Sequence, residues 1–125
     1  MKFEKRNIAI GLLCALVLAV AGWFFFVRPA GQVGRIWTVR MEPGKFAPDT
    51  LEIRVGDRVT FENHDTEPRW PASNLHPTHG IYPEFDPKKT IAPGEHWAFT
   101  FDKIGSWQFH DHLSPYITGK IVVVD

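Results

Sequence analysis

The sequence predicts an all-β sandwich of about seven strands, set behind a single apolar helix at the N-terminus. Three observations carry this. Residues 8–27 run without a charged side chain. Beyond them, short segments alternate apolar and polar residues and are separated by Gly and Pro turn signals. No stretch of that second part shows the 3.6-residue apolar period of a helix.

The apolar run comes first. Twenty helical residues span ~30 Å, about one hydrocarbon core. Lys2, Lys5 and Arg6 precede the run and Arg28 follows it, so the positive-inside tendency places residues 1–7 in the cytoplasm and the rest outside. A cleaved signal peptide is the alternative, with Ala19-Val20-Ala21 as a small-residue cleavage site. Against it, the stretch Trp23 to Val27 stays strongly apolar past that point. Cys14 lies inside the run, after a Leu13 too large for a lipidation motif. The expected organisation is a cytoplasmic stub (1–7), a transmembrane signal anchor (8–27), a Pro/Gly linker (28–35) and one extracytoplasmic domain (36–125).

The strands follow in order. Ile36 to Met41 alternates as a half-buried strand does. Pro43-Gly44 marks a turn, and Phe46 to Asp49 follows it. Leu51, Ile53 and Val55 alternate with Glu52 and Arg54, so those three are expected on the buried face. Gly56-Asp57 is a tight-turn signal. Val59 and Phe61 point inward from the next strand, Arg58 to Asn63. Residues 64–93 break the pattern with six prolines, and a loop this long in a small domain is either functional or disordered. Trp70, Tyr82 and Phe85 argue for an ordered loop that packs. Pro93-Gly94 then opens the strand Glu95 to Phe101, Gly105 opens the next, and Ile117 to Val124 closes the domain.

Charge and cysteine count narrow the function. From residue 28 onward there are eleven Lys and Arg against thirteen Asp and Glu, a net charge of −2. Nothing in that balance suggests nucleic acid. The chain's one cysteine, Cys14, lies in the apolar run, so the domain has no disulfide and stands on its core. No nucleophile elbow, phosphate loop or paired carboxylates at catalytic spacing are present, so covalent catalysis is not suggested.

All six histidines lie in the domain. His110 and His112 flank Asp111, and a strand turns alternate side chains to one face, so both imidazoles can grip one ion. His76 and His79 form a second pair in the Pro-rich loop. The candidate metal ligands are therefore His76, His79, His110 and His112. Imidazole suits copper, zinc and nickel, and at equal availability the affinity order favours copper over zinc. Zinc is the rival: His-x-His plus one more His leaves an open position for water. Glu84 and Asp86 are candidate acceptors for an imidazole N–H. Asp111 shares its face with Trp107 and Phe109, so it is expected to point inward and to bond loop backbone. The plain readings stand beside these: His110 and His112 as surface histidines, His76 and His79 as turn residues beside prolines. His64 and His96 have no evident role.

The order Phe46-x-Pro48, Leu51-x-Ile53-x-Val55, Gly56-Asp57-x-Val59-x-Phe61-x-Asn63-x-Asp65, Pro93-Gly94, Phe99-x-Phe101, Gly105-x-Trp107-x-Phe109 and Gly119-x-Ile121-x-Val123 resembles the cupredoxin family across residues 36–125. The resemblance implies a Greek-key β-sandwich, copper as the cofactor, electron transfer as the family's common role, and a redox or copper-trafficking protein partner. It also implies where the blue-copper ligands would fall: the first His near Arg69, the Cys at Asp111, the second His at Ser114 and the Met at Ile117. None of these is the required residue, and without a thiolate that centre cannot form. The copper-oxidase branch of the same superfamily offers a closer local likeness. There a Gly-x-aromatic-x-aromatic strand ends in His-x-His, and a separate loop supplies His-x-His-Gly. Here the strand Gly105 to His112 fits, and the loop His76-Pro77-Thr78-His79-Gly80 has one residue more. The expectation is a membrane-anchored, extracytoplasmic copper-binding protein with a His-rich site, in redox chemistry or copper handling. The alternatives are a metal-free cupredoxin-like interaction module of an envelope complex, or a zinc-binding enzyme.

Overall fold

The computed structural model describes Val33 to Asp125. The expected anchor helix (8–27), Cys14 and most of the linker lie outside the described residues. Among the described residues there is no helix.

Eight strands form two four-stranded sheets. They are β1 (Ile36–Glu42), β2 (Lys45–Ala47), β3 (Thr50–Arg54), β4 (Arg58–Asn63), β5 (Pro71–Ser73), β6 (His96–Thr100), β7 (Gly105–Asp111) and β8 (Ser114–Val124). The first sheet has the order β2-β1-β4-β6 and the second β3-β8-β7-β5. Two pairs are parallel, β1 with β4 and β3 with β8; the other four are antiparallel.

Period-2 alternation sends one set of side chains from each sheet into the space between them. Val39, Met41, Val59 and Phe61 come from the first sheet, and Ile53, Phe109, Ile121 and Val123 from the second; all are buried. Each contributes roughly 1.5–3 kcal/mol by leaving water. With no disulfide available, this layer of aliphatic and aromatic side chains holds the domain. Phe61 sits at its centre, 5.6 Å from both Phe85 and Phe109 by ring centroid. Opposite Phe109 on β8 stands Gly119. A Cβ there would lie 2.3 Å from Phe109 Cζ and 2.9 Å from the Asp49 carbonyl oxygen, so only glycine leaves room for the ring.

Three sequence expectations change. The strands number eight, not about seven, because β5 forms inside the stretch read as loop. Three residues beginning with proline are too short to show a period, and β5 exists only because β7 offers it a ladder. Val55 is not on the buried face: it is 39% exposed. It lies just past β3, where the chain is already turning into Gly56-Asp57. The closing strand begins at Ser114 rather than Ile117, so β7 and β8 are joined by a two-residue turn, His112-Leu113.

The long loop is ordered by its aromatic residues. Tyr82 and Phe85 are buried in the core. The Tyr82 hydroxyl donates to Asp102 at 2.5 Å, and its peptide N–H donates to Ser73 Oγ at 2.9 Å. Ser73 N donates to Phe85 O, Asn74 N to Gln108 O and Ile81 N to Asn74 O, at 2.8–3.0 Å. These bonds fix both ends of segment 74–81 beside the end of β7.

Candidate metal centre

The ladder between β5 and β7 places Ala72 opposite His110 and Ser73 opposite Phe109. The chain leaving β5 therefore enters the loop next to the His-bearing end of β7. Leu75 to His79 is one tight turn, closed by a 2.6 Å bond from His79 N to Leu75 O. It carries His76 on its exposed side and buries His79. His79 has φ 56°, a left-handed backbone that non-glycine residues seldom adopt and that is kept where surroundings impose it.

All four imidazoles meet. One nitrogen of each of His76, His79, His110 and His112 lies within 4.8 Å of the other three. His79 Nε2 is 3.0 Å from His112 Nδ1, and His76 Nδ1 is 3.3 Å from His110 Nε2. Four nitrogens ~2.0–2.1 Å from one ion lie about 2.9–4.2 Å apart, depending on the coordination shape. The 3.0 and 3.3 Å pairs already lie inside that range, and the 4.8 Å limit of the cluster exceeds its upper end by about 0.6 Å, so a modest inward movement of the rings would seat one ion.

The rings are aimed by what stands behind them. His79 Nδ1 lies 2.7 Å from Asp86 Oδ2. A carboxylate only accepts, so that nitrogen carries the proton and Nε2 keeps a free lone pair toward the cluster. His110 Nδ1 donates to Asn74 Oδ1 at 2.9 Å, with the same consequence for its Nε2. His112 is placed differently. It is the first residue of the β7–β8 turn, its peptide N–H donates to Trp70 O at 2.8 Å, and its ring packs on Trp70 with centroids 4.6 Å apart. Trp70 Nε1 donates to Asp86 Oδ1 at 2.8 Å, so Asp86 orients both the indole and His79.

Electrostatics favour the uncharged form of His110 and His112. Burial first, then the neighbouring His79, His76 and His112, push the His110 imidazole down to about 4. His112 is lowered too, by burial and then by His79 and His76. Burial alone would raise the Asp86 carboxyl; the bonds from His79, Lys88 N and Trp70 outweigh it and hold it below the ordinary carboxylate range. The result is a set of four imidazole donors with one carboxylate behind them, which fits a borderline divalent cation.

Several expectations are settled by position. Asp86 reaches an imidazole and Glu84 does not: Glu84 is exposed and accepts from Lys103 Nζ at 3.2 Å. His112 is not on the strand, because β7 ends at Asp111 with an irregularity in its ladder at His110/Asp111. His64 is exposed beside Glu62 at 3.0 Å, and His96 is exposed on β6. Trp70 packs the loop, as its aromatic character suggests, and in doing so it also backs His112.

Asp111 points inward as expected and accepts from the loop backbone at Trp70 N (3.3 Å) and Leu113 N (2.9 Å). Its main partner is one that the residue pattern did not reveal. The Arg69 guanidinium donates to it through Nε, and both side chains are buried. Arg69 Nη1 donates to Glu42 O at 2.6 Å and to Asp65 Oδ2 at 3.3 Å, and the guanidinium lies 5.2 Å over the Phe46 ring. Two of the positions where the resemblance puts blue-copper ligands are thus joined by an ion pair. Ser114 faces Asp111 across the β7–β8 turn, and Ile117 is core.

The profile of the family described as a cupredoxin-like domain matches residues 14–123. Amicyanin from Paracoccus denitrificans is 30% identical over 80 residues, which are 63% of this chain and 58% of that protein. Among solved structures, a Cu(I) amicyanin variant superposes with a TM-score of 0.62 at 24% identity, over 71% of this chain and 82% of that one. A purple cupredoxin from Nitrosopumilus maritimus gives 0.62 at 22% identity, over 70% and 99%.

Proposed function

The chain belongs to the cupredoxin-like family, and on that premise we propose that it is a copper-binding member whose site is His76, His79, His110 and His112. The observation that carries this is the convergence of four imidazole nitrogens within 4.8 Å, two of them backed by acceptors that turn their lone pairs inward. Surface histidines have no reason to be buried side by side with their protons held on the far side, as His79 and His110 are. Four neutral donors leave a bound Cu(II) dipositive, with Asp86 the nearest compensating charge. Copper supplies one-electron chemistry when bound. An all-nitrogen shell reorganises more between oxidation states than a thiolate shell does, so copper handling is at least as well served here as electron transfer.

The proposed setting is extracytoplasmic and membrane-anchored. It rests on the uncharged run 8–27 and the basic residues before it. A copper-trafficking or redox protein is the partner class that follows. Zinc is the second reading, supported by the same donor set, since neutral imidazole is also a zinc ligand.

The test uses the full-length protein in detergent. Titration with Cu(II) is expected to saturate at one ion per chain, with a paramagnetic resonance spectrum split by several nitrogens. The splitting disappears in His110→Ala/His112→Ala. Stoichiometric zinc that copper does not displace would transfer the site to the rival metal. Absence of tight binding by either would leave a metal-free interaction module.

A further inference from the structure

The four ligands are not equally held. His79 is buried, with its far nitrogen fixed to Asp86 and its backbone in a left-handed conformation. His110 is buried, with its far nitrogen fixed to Asn74. His112 is tied by its peptide N–H to Trp70 and packed on the indole. His76 is exposed, and it projects from the tip of the Leu75–His79 turn. Among the described residues its ring has one hydrogen-bond partner, His110 Nε2, which belongs to the cluster itself. Among the described residues, no acceptor backs its other nitrogen as Asp86 backs His79 and Asn74 backs His110. An unbacked imidazole on an exposed turn loses side-chain freedom to bind and gains no preorganisation in return.

Resting on the copper reading above, we propose that His76 is the exchangeable ligand of this site: three fixed imidazoles retain the ion while His76 gives way to an incoming nitrogen donor, such as the imidazole of a partner protein. The exchange is a ligand substitution with no change in oxidation state. One copper–nitrogen bond to His76 breaks, one to the incoming imidazole forms, and both donors are neutral, so no charge is moved. The exposed position is the one from which solvent and a partner approach. The three held ligands lie deeper in the loop and sheet, so the ion is passed outward through the place of His76.

The experiment compares His76→Gly with His79→Gly in the full-length protein loaded with Cu(II). His76→Gly is expected to keep one copper per chain with affinity within about tenfold of the parent, and to show three nitrogens where the parent shows four. Millimolar imidazole should return it to the four-nitrogen spectrum. His79→Gly should lose more than about 100-fold in affinity, beyond what loss of a supporting hydrogen bond alone costs, and imidazole should not restore it. In the unmutated protein, copper removal by a nitrogen chelator should accelerate with chelator concentration, because the incoming donor takes the vacated position. The proposal is overturned if His76→Gly loses copper as completely as His79→Gly, or if chelator removal from the parent is independent of chelator concentration. A parent protein that binds no copper defeats the copper reading itself, and is recognised before any variant is compared.

Discussion

Arg69 and Asp111 form a buried ion pair between the long loop and the last residue of β7, with the Arg69 side chain 3% exposed and that of Asp111 fully covered. The pair lies on the core side of β7, and His110, one residue earlier, contributes to the histidine cluster on the other. One strand end therefore serves two polar sites without mixing them, because successive side chains leave opposite faces.

That pair is expected to behave as a unit. Asp111→Ala or Arg69→Met each leaves a buried charge without its partner and should cost about 3–5 kcal/mol. The double replacement should recover much of the loss, since the desolvation penalty goes with the charges. Denaturant midpoints read at unchanged slope decide it. Additive losses in the double variant would mean that the two side chains act independently.

Asp86 and Glu84 should separate cleanly. Asp86→Asn retains the shape but replaces the carboxylate that holds the His79 proton, so copper affinity should fall about 10- to 100-fold. Glu84→Gln touches only the exposed contact with Lys103 and should leave affinity unchanged. Competition with a chelator of known affinity measures both. Equal affinities for the parent and Asp86→Asn would remove Asp86 from the site.

The metal-free protein should lose stability in mild acid. His110 titrates at about 4 in the folded chain and near its ordinary value of 6.5 when unfolded; His112 is lowered in the same sense. Above pH 6.5 both states are neutral and nothing is lost. As pH falls from 6.5 toward 4, the unfolded state takes up protons that the folded state refuses, so stability declines through that window. A urea midpoint series between pH 8 and 4 checks this. His110→Gln should flatten the lower part of the curve.

Gly119→Ala places a methyl against Phe109 where the gap is 2.3 Å. It should destabilise by about 1–3 kcal/mol, the usual cost of overpacking. Thermal unfolding reads this directly. An unchanged midpoint would mean that the Phe109 ring moves aside freely.

What the chain determined by itself is whatever repeats locally. Alternation over five to seven residues marked β1, β3, β4, β6 and β7, and the dipeptides Pro43-Gly44 and Gly56-Asp57 marked the turns between them. The pairing of His110 with His112 was expected from strand alternation, but His112 lies in the turn past β7, where its bond to Trp70 O places it instead. Val55 and His112 show the limit of that signal, since both lie just past a strand end, where the period no longer governs direction. Whether the turn carrying His76 and His79 would fold toward β7 depended on contacts 33 to 36 residues apart in the chain, and whether Asp86 or Glu84 would reach His79 depended on how the loop between them closes. Those contacts form only once Tyr82 and Phe85 are buried and β5 has paired with β7. No pattern within the loop encodes that closure. The same holds for Arg69, which reads as one more surface cation until the fold sets it against Asp111 and takes both out of water.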